Sequence, residues 1–216
     1  MSYSETTPAW SARRSARRGA RQTVAAKRLL ATLVVLGLLI AGVEVLAPLV
    51  GGTLSEVSLP LNDAAVIRAQ AAEKHLDPAL IAAVIYAETK FEPRESSAGA
   101  LGLMQLLPGT AAFIAGRTGG VDFTTADLAT PSVNIAYGSW YLRYLLEHYG
   151  GEELPALAAY NAGLSNVDSW VSKAREDGAA LTADEIPYPQ TKAYVERVLS
   201  AQQAYRATYA RQLGLG

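Results

Sequence analysis

The 216-residue chain is half hydrophobic, contains no cysteine, and balances 19 basic against 20 acidic side chains. The missing cysteines exclude a disulfide framework, a lipid-attached N-terminal cysteine and thiolate metal sites; His75 and His148 are too far apart to suggest a ligand pair, so neither metal nor cofactor is expected. The net charge of −1 hides a division: residues 1–28 carry seven cations and one acid, whereas the remainder carries 12 basic and 19 acidic residues, a balance of −7 that excludes bulk attraction of the main domain to anionic polymers.

The cations at the N-terminus are Arg13, Arg14, Arg17, Arg18, Arg21, Lys27 and Arg28. An apolar run extends from Leu29 to Val50, interrupted only by Thr32, Glu44 and Pro48. About 20 apolar residues span a bilayer, and a basic flank stays on the cytoplasmic side. Residues 29–50 are therefore expected to form a single-pass transmembrane signal anchor behind a cytoplasmic tail, with the C-terminal domain outside the cytoplasm. The alternative is a cleaved signal peptide, but Pro48 comes directly after the one small-residue site, Val45-Leu46-Ala47, and the basic region is long. A nucleic-acid role for the cations is set aside because of the adjoining apolar run.

Residues 51–60 read as a linker, and residues 61–212 as one mainly helical domain. Asn62 or Asp63 starts a helix that ends near Leu76. Asp77-Pro78 pairs a capping residue with proline at the first helical position and opens a second. Another is expected from Gly109 or Thr110, followed by a loop over 116–131. Helices are then predicted over Ser132–Tyr149, Leu154–Asn161, Asn166–Arg175 and Thr191–Gln212. Each histidine falls near a helix C-terminus, where a cation is favoured. No strand-like alternation of any length is present. Tyr137, Tyr141 and Tyr144 lie on apolar stripes and read as core.

The second helix carries the most informative residue. Ile81, Val84, Ile85 and Glu88 share one face. A carboxyl group on the apolar stripe of a helix is costly to ionise, so burial raises its pKa toward that of a general acid at neutral pH. After it come Gly99-Ala100-Leu101-Gly102-Leu103-Met104-Gln105, where the glycines permit tight turns, and then Ala159-Tyr160-Asn161-Ala162-Gly163.

Three blocks, Glu88–Pro93, Ser96–Gln105 and Ala159–Gly163, together with Ile186–Val195, resemble the signature blocks of the soluble lytic transglycosylase (SLT) catalytic domain, glycoside hydrolase family 23 of the lysozyme-like superfamily, related to goose-type lysozyme. Their order and spacing agree over roughly residues 60–210. The resemblance implies a helical lysozyme-like fold with Glu88 as the catalytic residue. It implies Ser96, Met104, Gln105, Tyr160, Asn161 and Tyr194 as substrate-binding residues, and peptidoglycan glycan strands as the partner. The chain departs from the family pattern at Thr89, where the family has Ser, at Leu164-Ser165, where Pro-Gly is common, and at Asp184, where a Glu usually precedes the Ile-Pro pair.

Glu92, Glu95, Asp122 and Asp127 lie in polar loops and read as solvating or capping residues. Two flanking carboxyl groups serve ordinary glycosidases, and only Glu88 has that context here. The resemblance implies that one suffices, because the N-acetylmuramic acid C6 hydroxyl attacks in place of water and leaves a 1,6-anhydro end. The alternatives are a lysozyme-type hydrolase and a non-catalytic peptidoglycan-binding or scaffolding module.

Overall fold

The computed structural model describes residues 59–215. The expected basic tail, the membrane-spanning segment and the linker up to residue 58 lie outside the described residues. Within them are seven α-helices: α1 Ala64–Lys74, α2 Pro78–Thr89, α3 Pro108–Thr118, α4 Pro131–His148, α5 Glu153–Ala162, α6 Leu164–Glu176 and α7 Pro189–Leu213. No described helix is long and apolar enough to cross a membrane. The mainly helical expectation holds, with a few short additions, among them a 3-10 turn at Ala183–Glu185. The loop before α4 contains a 3-10 turn, Thr125–Ala129, and two-residue strands β1 (Arg94–Glu95) and β2 (Leu101–Gly102) pair antiparallel. Strands that short leave no periodicity to read.

Helix α2 is the axis of the domain. Ala79 through Ile85 are all buried, so it is apolar on every side and needs neighbours all round. Helix α7 packs along it. Asp77 starts α2 by accepting the Ala79 N–H at 3.0 Å. Its other oxygen accepts from Gln202 at 2.8 Å and from Arg206 at 2.9 Å. One carboxylate thus caps α2 and fixes the register of α7 against it.

A smaller apolar cluster of Leu106, Ala111 and Leu128 lies apart from the main core, with Leu101, Phe123 and Tyr137 against it. It belongs to the hairpin and α3. The hairpin is held by Asn134 of α4, which is fully buried. Its Oδ1 accepts the Met104 N–H at 2.8 Å, and its Nδ2 donates to the Leu101 and Leu128 carbonyls at 2.9 and 3.1 Å. Close packing makes Gly102 obligatory. Its φ is +76°, and a Cβ there would lie 2.1 Å from Asn134 Nδ2.

Leu59 and Pro60 are tied to α7 by their backbone. Tyr209 donates to the Leu59 carbonyl at 2.7 Å, and Tyr205 to that of Pro60 at 2.6 Å. His75 caps α1 and His148 ends α4, as their sequence context indicates.

Replacing Asn134 by Ala removes the side-chain partner of the buried Met104 N–H and Leu128 carbonyl and leaves the Leu101 carbonyl with the Leu106 N–H alone. The expected loss of unfolding free energy is about 3 kcal/mol or more, measured by urea unfolding. A loss below about 1 kcal/mol would show that the hairpin does not depend on this amide.

Candidate active site

Glu88 lies one residue from the C-terminal end of α2, in a cleft of about 470 Å³ between the hairpin–α3 lobe and helices α4 and α5. The chain reverses sharply after it. Lys90 and Phe91 both take left-handed backbone angles, with φ of 54° and 64°, and Gln105 across the cleft does the same at 49°. Non-glycine residues in this region cost on the order of 1 kcal/mol each. They are held there by their surroundings: Phe91 is buried against Tyr205, and the Lys90 N–H is bonded to the Tyr86 carbonyl.

Burial raises the Glu88 carboxyl from 4.5 to about 7. Its place at the negative end of α2 acts in the same direction. The Tyr194 hydroxyl and the Arg197 and Arg94 cations pull it back in part. Arg94 is fixed beside the acid by donating to the Glu88 backbone carbonyl at 2.8 Å. Tyr194 is buried, and its hydroxyl has no partner in strict hydrogen-bond geometry, yet it lies near enough to the carboxyl to act as its donor. Burial, with the Glu88 charge nearby, holds both Tyr160 and Tyr194 well above the usual phenol pKa. Both therefore stay protonated donors at neutral pH.

Of the residues expected in the site, Ser96, Gln105, Tyr160 and Asn161 line the cleft with Glu88. Ser96 closes its own turn, its Oγ accepting the Ala100 N–H at 3.0 Å, so its proton remains to be donated. Gln105 Nε2 donates to the Arg94 and Gly102 carbonyls at 2.8 and 2.9 Å. What it can still offer a ligand is the acceptor oxygen. Asn161 is the converse: its Oδ1 accepts from buried Thr191 at 2.8 Å, which leaves the NH₂ to donate. The Tyr160 hydroxyl donates to the Met104 carbonyl at 2.9 Å.

Two residues expected among the substrate contacts, Met104 and Tyr194, do not line the cleft. The Met104 side chain is 0% exposed and packs under the wall against Gly138, where a Cβ would come within 2.3 Å of its sulfur. Only the Met104 backbone reaches toward the cleft, through the carbonyl that Tyr160 holds. Tyr194 stands behind Glu88, not in the cleft wall, because α7 turns that face toward α2. Asp184 does not line the cleft; it pairs with Lys192. Glu185 folds back to cap Thr182. Thr89, in the position usually held by Ser, donates to the Leu103 carbonyl at 2.8 Å and ties α2 to the hairpin.

Tyr141, read as core from its apolar stripe, lines the cleft, as does Thr110. Thr191 and Asn134 were also missed. No motif marks a single polar residue within a helix as the one that orients a neighbour, although Thr191 does stand in the Ile186–Val195 block. No carboxylate other than Glu88 lines the cleft among the described residues, and no cluster there is suited to a metal.

The raised carboxyl pKa carries a sign. Between about 4.5 and about 7 the folded chain holds a proton that the unfolded chain has released, so stability falls as pH rises through that window. Glu88→Gln removes this titration. Thermal unfolding should show the native chain losing stability relative to the variant from pH about 4.5 to about 7, and no further change in the difference above it. A difference that is flat across the window would mean that the carboxyl is not held protonated.

The profile of the Transglycosylase SLT domain family matches residues 65–182. The soluble lytic murein transglycosylase of Salmonella typhimurium is 34% identical over 137 residues, which cover 62% of this chain and 21% of the relative. An inactive mutant of the lytic transglycosylase Slt from Pseudomonas aeruginosa, with a glutamate replaced by glutamine, superposes with a TM-score of 0.63 at 32% identity, over 70% of this chain and 25% of that one. The 70-kDa soluble lytic transglycosylase of Escherichia coli gives 0.65 at 28% identity, over 73% and 26%. The chain thus spans about a fifth of the length of the Salmonella relative and about a quarter of the two solved chains. With the matched segment covering more than half of its residues, this chain belongs to the transglycosylase SLT domain family.

Proposed function

We propose that the chain is a peptidoglycan lytic transglycosylase that cleaves the MurNAc-β-1,4-GlcNAc bond, with Glu88 as its single acid and base. The observation that carries this reading is the lone carboxyl group in the cleft, pushed by burial to about 7. At that pKa one group can give and take the same proton near neutrality. Glu88 protonates the glycosidic oxygen as the C1–O4 bond breaks. The C6 hydroxyl of the same muramic residue then bonds to C1 and passes its proton to the Glu88 carboxylate, which restores the acid. The product is a 1,6-anhydro end, and no water is consumed. Participation by the N-acetyl group would shield C1 between the two steps. Tyr194 supports the carboxylate while it is charged. Asn161 offers a donor and Gln105 an acceptor, a pair suited to an N-acetyl group or a hydroxyl, and Tyr160 fixes the wall between them.

A retaining or inverting hydrolase would need a second carboxylate opposite the first, and the cleft offers none among the described residues. The fate of a glutamate-to-glutamine mutant in the Pseudomonas relative, which is inactive, agrees with an essential carboxyl group in this family.

Peptidoglycan treated with the full-length protein should yield fragments one water lighter than lysozyme products, read by mass spectrometry. Glu88→Gln should abolish them while glycan binding persists. Residual turnover above about one per cent would argue against a sole acid/base. Ordinary reducing ends would make the enzyme a hydrolase, and binding without turnover by the native chain would make it a scaffolding module.

We further propose that residues 29–50 anchor the chain and place the catalytic domain outside the cytoplasm. The basis is the basic flank over residues 1–28 and the apolar run behind it. A reporter fused to the C-terminus should be active only in its extracytoplasmic form, and the chain should stay with the membrane after a salt wash. A cytoplasmic reporter would refute this topology, and release of the domain in shortened form would mean that the segment is cleaved.

A further inference from the structure

The cleft does not end at its walls. Thr110 lines it from α3, and one turn further along the same helix face is Phe113, then Arg117. Tyr141 lines it from α4, and one turn further is Tyr144, with Trp140 beside it. The rings form a continuous series. Tyr141 is 5.6 Å from Tyr160 and 6.2 Å from Tyr144, nearly parallel to the latter at 15°. Tyr144 is 5.6 Å from Trp140 at 6°. Phe113 meets Tyr144 at 5.4 Å and Trp140 at 6.1 Å from the facing helix.

Trp140 packs against neither buried core cluster and Phe113 is 36% exposed, whereas Tyr144 rests partly on the main core. Core stability therefore does not account for Phe113 and Trp140. Large aromatic groups that lie together on a surface and run into a cleft point to a ligand with an apolar face. The rim selects its kind. Arg117 stands over the Phe113 ring at 4.9 Å, and Arg143 and Glu147 border Trp140 and Tyr144. Aromatic faces edged by donors and acceptors suit a sugar ring, whose C–H face is apolar and whose hydroxyls point outward. An amphipathic helix would be served by a continuous aliphatic groove instead.

We propose that Phe113, Trp140 and Tyr144 form a distal platform on which a glycan strand continues beyond the cleft, its N-acetylhexosamine rings resting on the aromatic faces. The platform takes the polymer, whereas the cleft takes the bond to be cut. This rests on the glycan reading of the cleft. Its consequence is a preference for long strands over short ones, set by residues that do not touch Glu88.

The test uses full-length protein with Glu88→Gln, so that strands bind without being cut. Affinity is measured for peptide-free tetrasaccharides and for strands several-fold longer, with and without Phe113→Ala or Trp140→Ala. Long strands should bind tighter than tetrasaccharides, and each lost ring should reduce that gain about three- to tenfold. Phe113→Tyr and Trp140→Phe keep a ring and should restore most of it, which separates stacking from a packing defect. An equal gain with and without the rings overturns the proposal. So does a loss of tetrasaccharide binding in step with long-strand binding, which would make the rings part of the cleft's own support. If ring removal spares glycan affinity but lowers self-association in gel filtration, the face is a protein-docking surface and the proposal fails. The two readings fail separately. Binding to tetrasaccharides without any gain from length removes only the platform, whereas no binding at any length removes the glycan reading and the platform with it.

Discussion

The site depends on three hydrogen bonds made by one amide. Asn134 is buried in α4, yet it holds the Met104 N–H and the Leu101 and Leu128 carbonyls, and so joins the hairpin, the 3-10 turn and α4 at one point. Side chains of other sizes are excluded from both sides. Gly102 has no room for a Cβ beside the amide, and Gly138 has none beside the Met104 sulfur. The hairpin that carries Ser96 and Gln105 is therefore clamped to α4, the helix that also presents Tyr141 to the cleft. Tyr160 joins the same clamp from α5 through the Met104 carbonyl. One wall of the cleft is thus built from groups whose separations are fixed by a single buried residue and two glycines.

The other constraint is electrostatic. A carboxyl group at the C-terminal end of an apolar helix meets desolvation and a negative helix end together, and both oppose ionisation. Two arginines and a phenol offset them only in part. The balance matters more than any one contribution. Stronger pairing would leave Glu88 a permanent carboxylate, and deeper burial without Tyr194 would leave it a permanent acid. Arg94 makes this balance structural, because its guanidinium is tied to the Glu88 carbonyl while its own carbonyl holds Gln105.

Much of this is legible in the sequence, for reasons that differ by residue. Asp77-Pro78 announces α2 because a cap and an N1 proline act locally. Glu88 stands out because a carboxylate at i+7 of an apolar stripe conflicts with its surroundings, and such conflicts mark function more often than chance. The placement of Ser96, Gln105, Tyr160 and Asn161 came from motif order. What the sequence hides is direction. Met104 and Tyr194 belong to the right blocks but face inward, because the turn and the helix that carry them are rotated by contacts with distant residues. Tyr141 errs the other way: its helical stripe is apolar, and only the position of α5 decides that it borders space and not packing. Asn134 is invisible because a buried asparagine within a helix has no local signature; its partners are 30 and more residues away in the chain or in another element.

The end of α7 introduces a mechanical property. Tyr205 and Tyr209 grip the backbone at Pro60 and Leu59, so the chain enters the domain fastened to its last helix. The same helix, about two to five turns earlier, carries Thr191, which orients Asn161, and Tyr194 and Arg197, which lower the Glu88 pKa against its burial. A force applied at residue 59 is received by α7 across two hydrogen bonds, one of them from Tyr209 at a kink where φ is −121°, and is borne by the straight run of about 30 Å that precedes the kink and lies along α2. The hairpin, held by Asn134 on α4, lies outside that line of load. Strain entering at residue 59 would reach the helix that tunes the acid before it reached the hairpin wall of the cleft.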